Sequence, residues 1–478
     1  MVTGGRPLNG SVKIPAAKNS VLPLFAASLL CTGEVRLQAV PRLADVEHCM
    51  ALLRGVGCSA RWEGSDAVLS GPPANSTLPG QTAGQMRASI LFCAPLLARL
   101  GRAETSLPGG CRIGARPIDL HLAGLAKMGA VELEAGEGRL VLTAPSGLHG
   151  AEITLRFPSV GATETLLLAA ACARGRTILR GAAREPEIAD LAAFLNRCGG
   201  CIEGAGSSTI RIEGRRGLSG CCFSPLPDRI FASTLACGCA AAGGRVELTG
   251  CAPALYAPVL EILGQMGCRV EPAGDTVRIS RFGRLHGAGR VFTGAYPALA
   301  TDAAPLLAAA MLCADSESSI EDVIFERRFG CAEGFCRLGA QAEAAGRVLT
   351  IAPGGLLRGT EVEAPDLRGG AALVLAGLAA RGTTVITHPA HIDRGYAGFT
   401  EILAGLGAQI RRESAPENRS AKKNSVKNKF VLQSGQKDDT IQLYKYSIEL
   451  FLCEKRRFTI TYPMEDKSYG THARRRNG

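Results

Sequence analysis

A chain of 478 residues, 46% hydrophobic and 20% charged, has the composition of a globular protein with room for two or three cores, which excludes a disordered or fibrous chain. Its formal net charge is +11, but the last 66 residues carry 14 Lys and Arg against 8 Asp and Glu, so the body is only mildly basic. With aromatics at 5%, that balance suits small anionic ligands and argues against a nucleic-acid groove.

The first strongly apolar stretch, VLPLFAASLLC at 21–31, follows Lys13 and Lys18 and so imitates a secretory leader. It is too short to span a bilayer and lacks an A-x-A cleavage pattern, and Pro23 near its start suits the first turn of a buried helix. A cytoplasmic protein is expected. The 18 cysteines are scattered, mostly in apolar company, and are expected to be free thiols in a reducing compartment. Cys198 and Cys201 form one C-x-x-C with no second pair at zinc spacing, so no metal or redox role is assigned to them.

Along the body a phrase recurs: a helical apolar pattern, a glycine, a small residue, then alternating polar and apolar residues. Its copies are VGCSARW, MGAVELE, CGGCIEG, MGCRVEP, LGAQAEA and LGAQIRR. Their glycines, Gly57, Gly129, Gly199, Gly267, Gly339 and Gly407, recur about every 70 residues. Each is expected to end a helix with positive φ, which glycine adopts cheaply, before the chain returns as a strand and hairpin. Upstream of each lies an Ala/Leu helix, a β-branched strand and a polar loop. Six such mixed units exceed one core, so two α/β domains of three units are expected. The polar loops PRLADVE, PGGCRIGARPIDL, AAREPEIADL, CAPALYAPVL, FERRFGCAEGF and HIDRGYAGF become equivalent positions that gather at a cleft.

In PGGCRIGARPIDLH, residues 108–121, Cys111 stands between a glycine pair and Arg112 and Arg116. Read alone, it is a nucleophile, a metal ligand, a proton donor or an inert thiol in a tight turn. The lack of companion metal-type residues removes the ligand, and the flanking glycines predict an exposed loop. Lys18 and Asn19 open an apolar helix, where a solvated lysine and a capping asparagine are the plain alternative. Asp302 precedes an Ala/Leu helix and reads equally as its cap.

PAAKNSVLPL, PGGCRIGARPIDLHLAGLAKMGA, FPSVGATET, AAREPEI, LPDRI, the Thr-Asp pair at 301–302, FERRF, DLRGGAALVLAG and HIDRGY together resemble the UDP-N-acetylglucosamine enolpyruvyl transferases of the EPSP synthase-like family, in order over nearly all of residues 2–412. The resemblance implies an inverted α/β barrel architecture, helices inside and sheets outside, with three repeats in each of two domains. One domain would be discontinuous, 1–17 with 229–412, and the other would run 18–228. The implied reaction moves the enolpyruvyl group of phosphoenolpyruvate to the 3-hydroxyl of UDP-N-acetylglucosamine and releases phosphate, as the first committed step of peptidoglycan synthesis. No cofactor or metal is implied, and no nucleic-acid or membrane partner.

Residue by residue, the resemblance makes Cys111 the proton donor to the phosphoenolpyruvate methylene, a site of covalent pyruvyl adduct formation, and the point alkylated by fosfomycin. Arg112 and Arg116 would favour its thiolate in the empty enzyme, and a bound anion would restore the acid. Lys18, Asn19, Arg116 and Arg394 match the phosphoenolpyruvate-binding set, with guanidinium forks suited to carboxylate or phosphate. Asp302 is the candidate general base. Arg87, Arg116, Pro117, Ile118, Asp119, Leu120, Ser159, Val160, Gly161, Asp302 and Ile324 match nucleotide-sugar contacts. Asp366, Arg368 and His391 are placed behind them.

Two departures bear on the site. Ala16 stands where the resembled proteins have glycine, a strain at the start of the Lys18 helix if φ there is positive. AAPLL after Asp302 replaces a run that contains Gln. Loss of Cys111, Lys18, Arg116, Asp302 or Arg394 would mark a non-catalytic paralogue, and all five are present. PGGCRIGARP and AAKNS argue against the sister enzyme that acts on shikimate 3-phosphate. Residues 413–478, holding eight of the chain's eleven lysines, read as an atypical basic tail, a linker or poorly ordered segment without the repeat's phrase.

Overall fold

A computed structural model describes residues 1–107, 109, 113–114, 117–136 and 138–413. Cys111, Arg112, Arg116 and the tail from Ser414 lie outside the described residues.

The stretch from Glu152 to Glu213 shows the local logic. Strand Glu152–Thr154 leads into helix Val160–Ala171, which is apolar on every side and nearly wholly buried. The chain returns as Arg176–Arg180, parallel to the first strand with Ile178 opposite Glu152. A second, amphipathic helix, Pro186–Arg197, begins with proline where no intrahelical N–H is needed and ends before Gly199. The hairpin Cys201–Glu203 and Thr209–Glu213 then pairs antiparallel onto Arg176–Arg180, Leu179 opposite Ile210. Period-two alternation buries Ile210 and Ile212 and leaves Arg211 exposed.

Five four-stranded sheets and one three-stranded sheet repeat this plan among the described residues. The six marker glycines have φ between +93° and +101°, the turn the repeat demanded. Six helices lie inside the sheets: Lys18–Ser28, Cys93–Leu100 and Val160–Ala171, then Arg229–Ala242, Ala304–Met311 and Leu367–Ala379. Buried apolar side chains form two clusters, one drawn from residues 21–218 and the other from residues 2–14 and 230–408. The architecture is the inverted α/β arrangement, helices in and sheets out, three repeats around each cluster.

Connectivity departs from simple succession at two places. Strand Leu8–Lys13 pairs in parallel with Gly244–Thr249, so residues 18–228 are inserted between that strand and helix Arg229–Ala242. The outgoing and returning chains touch where Ala17 N donates to Leu226 O at 2.8 Å and Asp228 N to Pro15 O at 2.8 Å. Strand Val2–Thr3 lies between Thr383–Thr387 and Gln409–Ile410, completing the sixth unit with the first residues of the chain.

Pro23 sits inside helix Lys18–Ser28, not in its first turn. The helix begins earlier than its apolar run, because Lys18 is itself buried. Ala16 has negative φ, so a side chain there carries no backbone strain. Pro305 falls at the start of helix Ala304–Met311, which the AAPLL run therefore suits. The described cysteines are free, and Cys198 Sγ lies 3.3 Å from Cys221 Sγ. No described helix is long and apolar enough to cross a membrane.

Candidate active site

Three groups of polar side chains occupy the helix starts and loops that the repeat made equivalent. The first is built on Asp45, in the first turn of helix Ala44–Gly55 and only 3% exposed. Lys18 Nζ is 2.6 Å from Asp45 Oδ2. Arg394, which ends the short helix Ala390–Asp393, donates from Nε to Asp45 Oδ1 at 3.0 Å and from Nη2 to Oδ2 at 3.3 Å. Arg394 Nη2 also reaches Gln85 O at 3.5 Å. Burial pushes the Asp45 carboxyl up, but the Lys18 charge and the Arg394 hydrogen bond outweigh it and hold the group below its ordinary range. Asn19, beside Lys18, is exposed.

The second group centres on Asp302, in the turn Thr301–Ala303. Its carboxylate pairs with Arg328 through Oδ1 and with Arg368 through Oδ2, the latter with Nε and Nη2 both at 3.1 Å. The two guanidinium side chains are 2% and 3% exposed, and that of Asp302 28%. Burial raises the Asp302 pKa, yet the two arginine charges more than reverse this and leave a carboxylate far below the usual range. Arg368 is held in turn by Asp302 and lies 5.1 Å from the Tyr396 ring centre. Asp366 caps helix Leu367–Ala379, accepting from Arg368 N at 2.9 Å and Gly369 N at 3.0 Å. Asp322 joins Ile324 to the group: it accepts from Ile324 N at 2.8 Å and from the hydroxyl of Thr301.

Asp228 ties Lys18 to the start of helix Arg229–Ala242. Its Oδ1 accepts from Ile230 N and Phe231 N at 2.9 Å each, capping helix Arg229–Ala242, while Oδ2 accepts from Lys18 N at 3.3 Å. Next to it, buried Arg229 is bonded by Glu187 at 3.0 and 3.2 Å.

The third group gathers Arg87, Pro117 to Leu120 and Ser159 to Gly161. Arg87 Nη2 donates to Pro117 O at 3.0 Å. Asp119, first in helix Asp119–Lys127, pairs with Arg156. Ser159 Oγ accepts from Ala162 N at 3.3 Å and so caps helix Val160–Ala171. Buried His121 shares a 2.8 Å hydrogen bond with Thr165, and a Cβ on Gly161 would stand 3.1 Å from its ring. Burial, then the Arg87 charge, push the His121 pKa down to about 4, so the ring is neutral near pH 7.

The structure thus brings Lys18 to Arg394, Asp302 to Arg368, and Arg87 to Pro117. Val160 opens the buried helix that Ser159 caps, while His391 is exposed on its short helix. Sequence reasoning missed Asp45, Arg328, Asp228 and His121. Asp45 and Arg328 sit in PRLADVE and FERRF, so the equivalence of the polar loops was the available signal.

A family model for EPSP synthase (3-phosphoshikimate 1-carboxyvinyltransferase) matches residues 2–403. The chain belongs to this family of carboxyvinyltransferases. Among its relatives, a UDP-N-acetylglucosamine 1-carboxyvinyltransferase from Solidesulfovibrio magneticus is 44% identical over 417 residues, spanning 86% of this chain and 99% of that protein. One of the same name from Finegoldia magna is 42% identical over 409 residues, 85% of this chain and 96% of that protein. The crystal structure of the enolpyruvyl transferase NikO from Streptomyces tendae aligns with a TM-score of 0.78 at 26% identity, covering 87% of this chain and 98% of that one. An EPSP synthase from Acinetobacter baumannii, at 20% identity and a TM-score of 0.66, shares the fold.

Proposed function

We propose that the chain transfers the enolpyruvyl group of phosphoenolpyruvate to the 3-hydroxyl of UDP-N-acetylglucosamine, releasing phosphate in the first committed step of peptidoglycan synthesis. The observation that carries this reading is 42–44% identity, over 85–87% of the chain, to proteins named for transfer of a carboxyvinyl group to this nucleotide sugar. The site supports it with cations for a substrate bearing a carboxylate and a phosphate, and with a carboxylate for the hydroxyl. The domains proposed are 1–17 with 229–412, and 18–228; the two separate apolar clusters support that division. A cytoplasmic location and small-molecule partners only, with no nucleic acid and no cofactor, complete the reading.

In this mechanism Lys18, Asn19, Arg116 and Arg394 bind phosphoenolpyruvate, and fixed cations stabilise charge that shifts within it. The sugar oxygen bonds to the substituted alkene carbon, its proton goes to Asp302, and Cys111 supplies a proton to the methylene. Breaking the bond between that carbon and the phosphate oxygen then releases phosphate, and loss of a methyl proton restores the alkene. The two arginines make Asp302 a weak base. It therefore accepts the proton late, once the forming carbon–oxygen bond has acidified the hydroxyl. Arg87, Pro117, Ile118, Asp119, Leu120, Ser159, Val160, Gly161 and Ile324 hold the nucleotide sugar, with Asp366, Arg368 and His391 behind.

The test is an acceptor comparison. Purified protein should release phosphate from phosphoenolpyruvate only when UDP-N-acetylglucosamine is added. Release driven equally well by shikimate 3-phosphate, or by neither acceptor, would overturn the assignment.

A further inference from the structure

We propose that Asp45 is the positioning residue of the anion site, its buried carboxylate holding the Lys18 ammonium and the Arg394 guanidinium side by side so that a phosphate-bearing substrate meets a preassembled pair of cations. The inference rests on the proposed function for the identity of that substrate, and on geometry for everything else.

Lys18 and Arg394 are 376 positions apart. Lys18 opens one of the helices around the first apolar cluster, and Arg394 follows Ile392, a member of the second. Both reach the same oxygen, Asp45 Oδ2, at 2.6 and 3.3 Å, so their charged nitrogens are within about 6 Å of each other, where like charges repel. Their side chains are 10% and 20% exposed, which leaves little water to screen that repulsion. The carboxylate removes it and fixes both directions of approach, two nitrogens of the planar Arg394 fork meeting its two oxygens.

Asp45 is itself well held. It lies in the first turn of helix Ala44–Gly55, where the helix dipole favours an anion. His48, one turn on, approaches Oδ1 at 3.9 Å, and the Cys49 thiol is buried beside it. One carboxylate between two cations leaves one net positive charge for the incoming anion.

Asp45→Asn keeps the shape and removes the charge. The expected result is a KM for phosphoenolpyruvate raised about tenfold or more, the loss of one charge-assisted interaction, with the KM for UDP-N-acetylglucosamine unchanged. Inorganic phosphate, tested as product inhibitor, should weaken in parallel. Asp45→Glu, which restores the charge one methylene further out, should recover part of the loss. A phosphoenolpyruvate KM within twofold of wild type, or equal shifts in both KM values, overturns the proposal. If Asp45→Asn does not fold, Asp45→Glu decides by the same split: a raised phosphoenolpyruvate KM alone supports it, and an unchanged one overturns it. If the wild-type protein shows no transfer, the proposed function fails separately. Calorimetry of inorganic phosphate binding to wild type and Asp45→Glu then judges Asp45, weaker binding supporting its role and equal binding overturning it.

Discussion

Replacing Asp302 by Asn removes one negative charge from between two guanidinium groups and alters little else in shape. The Arg328 and Arg368 side chains are 2% and 3% exposed, so neither regains much water when its partner is neutralised. Two unit charges about 4 Å apart attract by about 4 kcal/mol at an effective dielectric near 20, and removing one member of a buried pair costs about 3–5 kcal/mol. The 28% exposure of Asp302 and the nearby Asp228 soften the loss, which places the expected destabilisation near 3 kcal/mol and the fall in Tm at about 5–10 °C. The sign with pH follows from the lowered carboxyl pKa. The pair stabilises the protein above the unfolded value of about 4, and that contribution is lost as pH falls through the lower folded value. Turnover should drop by about 10²–10⁴-fold for loss of a general base, while phosphoenolpyruvate binding persists, because Lys18 and Arg394 are held by Asp45. Thermal unfolding and steady-state kinetics read the two effects separately. An unchanged Tm would refute the electrostatic argument. Turnover within tenfold of wild type, or an acid limb of kcat above pH 5 that disappears in Asp302→Asn, would refute the role given to this carboxylate.

Gly199→Ala and Gly264→Ala should act in opposite directions, although neither new methyl meets anything within 4 Å. Gly199 has φ +95° and should lose about 1–2 kcal/mol, whereas Gly264, within helix Ala257–Gln265, should gain about 0.5 kcal/mol, as read by denaturant midpoints. His121, with its pKa pushed down to about 4, favours the folded state above its unfolded value near 6.5 and loses that contribution as pH falls toward 4. Stability should fall by up to about 3 kcal/mol over that interval, and His121→Gln should flatten the slope; an imidazole titrating near 6.5 in NMR spectra would contradict this.

The repeat was legible because its marker is a backbone requirement. A turn with φ near +95° selects glycine, so the six positions are visible in any sequence that builds it. The buried helices were legible for a similar reason: Val160–Ala171 and Leu367–Ala379 have no polar face to present to water. Asp45 was not, because an aspartate in a first helical turn is ordinary dipole chemistry, and nothing local announces a partner 349 residues away. Arg328 was hidden in the same way, since which of several arginines turns inward depends on packing between units; Arg368 was named, but not its pairing with Asp302. Pro23 misled because an apolar run marks where a helix is buried, not where its first turn lies.

The placement of Val2–Thr3 has a consequence for the order in which the chain is made. Strand Val2–Thr3 is made long before the two strands that flank it, Thr383–Thr387 and Gln409–Ile410. Leu8–Lys13 likewise waits for Gly244–Thr249, by which time residues 18–228 have emerged complete. The inserted half is therefore free to fold during synthesis, whereas the other must hold two unpaired strands in reserve until their partners have been made. Met1 and Arg411 finish joined, with N to O distances of 2.8 and 3.0 Å between them. A circular permutant that omits the residues after Arg411, links Arg411 to Met1 and opens the chain between Lys13 and Lys18 would deliver each strand beside a partner already made.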